Sequence, residues 1–275
     1  MKTNPFVYAC MTPHGGEIIP ELSRQEPERM KTTRQSLYVI GKEMEAANPD
    51  TIIVLTPHGV RVNGQFSITN SERMVGSVEE NDAQYELERK VDRELANSIA
   101  QTAMKNNIPL ALINYGTSAG PISCLPMDWG VIVPLAFMPN VPIVVVTPPR
   151  ELSFDFHYHF GEALREAVQA AAKRVALVAS CDWSHTHDEE GPYGFDHAAK
   201  ELDKLVVQYT QNNELEKIAH FDKEFIEAAK PDGIWQTMIL AGAIPKGIRQ
   251  IDFLSYEAPT YFGMMCASVT SKEPL

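Results

Sequence analysis

The sequence is poor in positive charge and in the short signatures that mark common enzyme classes. Its 24 Lys and Arg face 36 Asp and Glu, a formal net charge of −12, so it lacks the electrostatic footprint of a general nucleic-acid binder. No apolar run approaches the ~20 residues that span a bilayer. The opening Met-Lys-Thr-Asn-Pro leads into a short apolar stretch, Phe6–Met11, too brief for the core of a secretory signal. The four cysteines, Cys10, Cys124, Cys181 and Cys266, are far apart and form no CxxC; free thiols in the cytoplasm are the expectation. There is no GxSxG elbow, no GxxxxGKS/T phosphate loop, no HExxH and no GxGxxG. The local signals of serine hydrolases, P-loop nucleotide enzymes, HExxH zinc proteases and dinucleotide-binding domains are therefore missing. Repeats and low-complexity tracts are also absent, and no linker divides the chain.

What is present is an alternation of strand-like and helix-like stretches. Thr51–Leu55, Pro142–Thr147 and Val175–Cys181 are continuous apolar runs, as strands buried on both faces would be. Phe6–Met11 and Ala111–Tyr115 are further strands, and Gly116–Asp128 reads as a loop. Helical periodicity predicts helices over Arg24–Ala47, Tyr85–Asn106, Gly130–Met138, Phe160–Arg174, His197–Gln211, Glu214–His220, Lys223–Lys230 and Trp235–Ile244. Ile248–Tyr256 and Tyr261–Val269 close the chain as a hairpin. The alternation predicts one α/β domain over residues 1–275, with a mixed central sheet and helices on both faces.

The tetrapeptide Thr-Pro-His-Gly occurs twice, at residues 12–15 and 56–59, each time directly after a predicted strand. In open α/β sheets, ligands bind beyond the carboxyl ends of the strands. His14 and His58 are therefore candidates for one metal site, imidazole being the commonest protein metal ligand. The run Ser180-Cys181-Asp182-Trp183-Ser184-His185 ends a third buried strand in the same way. His185 is a candidate further ligand or acid/base, with Asp182 or Ser184 to orient it. Two histidines and one carboxylate with open positions suit non-haem Fe(II) oxygen chemistry. The carboxylate candidates are Asp232, Glu257 and Asp128, which spacing alone does not rank. His157 and His159 read as surface or helix-start residues, His197 and His220 as structural or exposed, His187 as a loop residue competing with His185, and Asp188-Glu189-Glu190 as a solvated loop.

The order of these motifs resembles the class III extradiol ring-cleavage dioxygenases, the superfamily of the protocatechuate 4,5-dioxygenase catalytic subunit. Within it, the subunit-B-like branch that includes Memo-like proteins is most similar. The resemblance rests on MTPHGG around His14, VLTPHG around His58, DWGVIVPL at 128–135, ASCDWSH at 179–185 followed by GPYG at 191–194, GIWQTMILAGA at 233–243, and SYEAP at 255–259. It implies a single α/β domain with Fe(II) held by His14 and His58, and His185 as acid/base. It also implies a small aromatic substrate of catechol or aminophenol type, O2 as co-substrate, and a homo-oligomer or a separate small subunit. The family's third ligand is a glutamate; here that neighbourhood reads Lys230-Pro231-Asp232-Gly233, with Asp232 the nearest carboxylate and Glu257 the other choice. Trp129 stands where well-studied members carry a histidine. The same donors would suit Zn(II) in a hydrolase, and a non-catalytic Memo-like binding protein on the same fold is a third reading.

Overall fold

The structure, a computed structural model, describes residues 4–271; the ends of the expected 1–275 domain lie outside them. In chain order the elements are β1 (Phe6–Thr12), α1 (Lys31–Ala47), β2 (Thr51–Leu55), β3 (Phe66–Thr69), β4 (Arg73–Glu80), β5 (Ala83–Lys90), α2 (Arg93–Lys105), β6 (Leu110–Ile113), β7 (Cys124–Pro126), α3 (Trp129–Leu135), β8 (Ile143–Thr147), α4 (Phe154–Ala170), β9 (Val175–Ser180), α5 (Ala198–Gln211), α6 (Lys223–Ala229), α7 (Ile234–Ala243), β10 (Arg249–Glu257) and β11 (Met264–Ser271).

Eight strands form a mixed sheet in the order β10-β11-β1-β9-β2-β8-β3-β6. β1, β9, β2 and β8 run parallel at its centre, and the expected C-terminal hairpin, β10–β11, is antiparallel. Side chains of a strand alternate between faces, and β2 shows the consequence. Ile53 and Leu55 join the core beneath α2, α4, α5 and α7. Ile52 and Val54 join a second core, beneath α1 and α3. The helices on both faces thus follow from apolar runs that need burial on either side.

Three sequence expectations are corrected. The segment expected to open a helix at Tyr85 is the strand β5, paired with β4 in a small second sheet, β5-β4-β7. There the period is two: Leu87 is buried while Glu86 and Glu88 face outward. Helix α2 begins only after Asp92, whose side chain accepts the Leu95 N–H. The expected start of α1 at Arg24 is early by seven residues, because Pro27 disfavours helical backbone at Glu26. Helix α4 starts earlier than Phe160, so that His157 is a buried helix residue lying between the carbonyls of Ser153 and Pro149.

Candidate metal centre

Because β1, β9 and β2 are parallel neighbours, the segments leaving their carboxyl ends emerge on one edge of the sheet. His14 lies two residues beyond β1, His58 three beyond β2, and Asp182 two beyond β9. The Nε2 atoms of His14 and His58 lie 3.0 Å apart. Asp232 joins them from the loop before α7, its Oδ2 3.2 Å from His14 Nε2 and 3.3 Å from His58 Nε2. The loop reaches this depth because residue 233 is glycine: an added Cβ there would stand 2.6 Å from Cys181 Cβ. A reciprocal pair of bonds fixes it, Asp182 N–H to Asp232 Oδ1 (2.9 Å) and Asp232 N–H to the Asp182 carbonyl (3.3 Å).

The donor set fits a divalent cation. Ligand atoms ~2.1 Å from a metal lie about 3.0 Å apart at right angles and about 3.4 Å apart in a tetrahedron, and the three observed separations fall in that interval. His14 is buried, and its Nδ1 lies 2.9 Å from Ser180 Oγ. That hydroxyl can hold the ring in the tautomer that leaves Nε2 free, as partners behind metal-bound histidines do. Its backbone N–H is bonded to Asp182 Oδ1 at 3.0 Å. Burial opposes charge on His14, but the adjoining Asp182 and Asp232 outweigh it and raise its pKa to about 9. Burial also disfavours charge on Asp232, yet His14 and the bonds from both histidines hold its carboxyl well below the usual range. Asp182 moves the other way, raised by burial and by Asp232 beside it. The locus thus favours positive charge at one point.

The remaining candidates divide. His185 lines the same pocket, a cleft of about 580 Å³ that His14, His58, Trp129, Asp182 and Phe262 also line. Neither Asp182 nor Ser184 orients it, contrary to expectation: its Nδ1 lies 2.8 Å from the Lys230 carbonyl, while Asp182 serves His14. The Phe262 ring lies against it, the centroids 5.8 Å apart. Trp129 is 46% exposed and stacks on His58 with ring centroids 4.1 Å apart. Asp128 lies behind them, accepting from Thr56 Oγ1 at 2.7 Å; burial raises its pKa. Glu257 is corrected. It lies at the end of β10 and its Oε1 accepts the Thr33 N–H in the first turn of α1 (2.8 Å), where a carboxylate complements the unpaired donors and the helix dipole.

Sequence reasoning passed over Ser180, the Lys230 carbonyl and Asp203. Asp203 is a buried carboxylate that accepts from Ser184 N–H (3.0 Å) and Tyr256 OH (2.6 Å), with His187 Nε2 2.8 Å away, so it braces the segment on both sides of His185. His187 is thereby tied to Asp203 rather than competing for the cleft. Position two beyond a strand was a readable signal for His14 and Asp182; no comparable signal marks a helical Asp203.

Residues 8–264 match the family model described as the catalytic LigB subunit of aromatic ring-opening dioxygenase. The chain belongs to this family. Protein CA_C1420 of Clostridium acetobutylicum is 27% identical over 262 residues, 94% of this chain; the alignment covers 55% of that protein, so this chain spans about half its length. The 2-aminophenol 1,6-dioxygenase beta subunit of a Pseudomonas species is 24% identical over 253 residues, 83% of this chain and 82% of that one. Among solved structures, the uncharacterized protein JW3007 from Escherichia coli K12 shares the fold. Its TM-score is 0.63 at 16% identity, covering 95% of this chain and 98% of that one.

Proposed function

We propose that this chain is a non-haem Fe(II)-dependent dioxygenase that opens the ring of a catechol- or aminophenol-type substrate with O2. The observation carrying the proposal is the convergence of His14 Nε2, His58 Nε2 and Asp232 Oδ2 within 3.0–3.3 Å of one another, in a member of a ring-opening family. Those three residues would hold the metal. Iron held there would supply Lewis acidity toward the substrate's hydroxyl and redox chemistry toward O2.

The protein's own groups do the rest. Trp129, Tyr261 and Phe262 line the cleft with aromatic surface against which a flat ring packs. A carbonyl only accepts, so the bond to Lys230 places the proton of neutral His185 on Nδ1 and leaves Nε2 as the base. His185 Nε2 takes the substrate's hydroxyl proton and returns a proton when the ring opens. Asp203, through Ser184 and His187, keeps the His185 segment in place.

We further propose a homo-oligomer working in the cytoplasm. No helix among the described residues is long and apolar enough to cross a membrane, and the four cysteines are free, as a reducing compartment keeps them. Light scattering in solution tests the assembly, which a monomer would refute.

Anaerobic purification, metal analysis and an oxygen electrode with a panel of catechols and aminophenols test the activity. Stoichiometric iron with oxygen uptake and ring-opened product is expected. Stoichiometric zinc, no oxygen uptake, and ester or amide turnover would replace this reading with a zinc hydrolase.

A further inference from the structure

The fourth parallel strand also delivers a side chain to the ligand edge. β8 ends at Thr147, and Pro148-Pro149 carry the chain to Arg150. Resting on the ring-opening reading above, we propose that Arg150 is a specificity-determining residue that binds a carboxylate of the aromatic substrate. Arg150, His185, Tyr193, Lys230, Asp232 and Trp235 line a second cavity of about 290 Å³. His185 belongs to both this cavity and the main cleft, so the two meet at the base assigned above.

Arg150 differs from the arginines that serve the fold. Arg34 donates to the carbonyls of Ile18, Pro27 and Glu17. Arg249, fully buried, is bonded to Asn213, Glu216 and the Ile244 carbonyl. Arg174 holds the carbonyls of Asn48 and Ala47. Arg150 instead lies with its guanidinium carbon 4.8 Å over the Trp235 ring, and among the described residues it forms no ion pair. The carboxylates near it are engaged elsewhere. Asp232 faces His14 and His58, Glu227 pairs with Lys230 at 2.8 Å, and Glu151 accepts the Gly64 N–H at 3.3 Å. Arg61 adds a second positive charge within range of Arg150. Glu151 lies within electrostatic range of both guanidinium groups and Asp232 within range of Arg150, yet among the described residues neither arginine forms an ion pair, which is unexpected in a chain of net charge −12.

Stacking on an indole holds the guanidinium plane while leaving its edge donors free, which suits bidentate capture of a carboxylate. The main cleft is lined by Glu79, Glu80 and a Glu17–Arg29 ion pair (3.1 Å), a net-acidic set that disfavours an anion among them. Arg150 and these carboxylates together favour a substrate with its carboxylate toward Arg150 and its ring toward His14 and His58.

The test needs no turnover. Benzoate and benzamide have similar shape and differ in charge. Calorimetric titration of the purified protein should show benzoate binding at least ~10-fold more tightly, the scale of one charge-assisted hydrogen-bonded contact. Arg150→Met should abolish that preference, and Arg150→Lys, which keeps charge but loses the fork, should retain part of it. Unchanged melting temperatures would confirm that both variants are folded. Should Arg150→Met fold poorly, the Arg150→Lys titration decides alone. A benzoate preference unaltered in a folded variant, or no preference in the parent protein, overturns the proposal. Separately, oxygen uptake with 3,4-dihydroxybenzoate and 3,4-dihydroxybenzamide should show a kcat/KM ratio favouring the acid that collapses in Arg150→Met. Absence of oxygen uptake with every substrate refutes ring opening and leaves the benzoate result to stand or fall by itself.

Discussion

The two Thr-Pro-His-Gly segments have the same sequence and the same place at the end of a parallel strand, yet the fold holds their histidines by different forces. His14 is buried and fixed by hydrogen bonds, its ring Nδ1 to Ser180 Oγ and its backbone N–H to Asp182 Oδ1. His58 keeps a side chain 23% exposed, and its ring is flanked by Trp129 in place of a polar partner. Its backbone N–H turns to Thr56 Oγ1 at 3.2 Å. Both strands are flanked on each side, β1 by β9 and β11 and β2 by β9 and β8, so the difference lies beyond their ends: His14 meets Ser180 and Asp182 from the end of β9, whereas His58 meets Trp129 at the start of α3. A repeated tetrapeptide therefore supplies position, and the neighbouring strands supply rigidity. One candidate ligand is held by hydrogen bonds, and the other borders the open cleft.

The largest effects should come from removing the donors themselves. His14→Ala and His58→Ala should each lower metal affinity by well over about 100-fold, beyond what loss of a supporting group costs, read by metal analysis after anaerobic purification. Retention of iron by either variant would separate the two copies completely and reject the shared site. His185→Ala should keep metal content close to the parent's and lower kcat by about 10²–10⁴-fold, the usual contribution of a general base. Metal loss in that variant would make His185 a ligand instead.

Smaller effects probe how the two copies are held. Ser180→Ala should weaken metal binding by about 10–100-fold. Trp129→Ala should leave metal affinity less affected and chiefly raise KM, because it removes a stacked wall and no hydrogen bond. Equal metal loss in both variants would erase the distinction drawn between them. The smallest effect serves as a control distant from either copy. Burial opposes charge on Asp92, but bonds from Thr51, the Leu95 N–H and Lys173 outweigh it and hold its carboxyl below the usual range. The resulting stabilisation is complete above the unfolded carboxylate pKa of about 3.9 and fades as pH falls through the lower folded value. Asp92→Ala should cost about 1 kcal/mol at neutral pH, as loss of a helix cap does, and the difference in denaturant midpoint should shrink below pH ~4.

Much of the site was legible in the sequence because it depends on strand ends. Apolar runs fix where β1, β2 and β9 stop, and the residues just beyond them, His14, His58 and Asp182, then share an edge. Asp232 was legible through resemblance and proximity to a helix start, with Glu257 as an equal rival until the geometry separated them. Ser180, the Lys230 carbonyl and Arg150 were not legible, because their roles depend on which strands are neighbours and on where a loop with left-handed Lys230 (φ 52°) returns. The fold was readable where burial on both faces leaves one pattern. It was misread at residues 85–92, where Leu87 and Val91 satisfy a helical spacing but sheet pairing with β4 decides.

The loop that brings Asp232 home also sets the timing of assembly. Positions 14 and 58 are synthesised before position 232, which follows six of the eight strands of the main sheet. Until then the candidate centre has its two imidazoles without the carboxylate that completes the set.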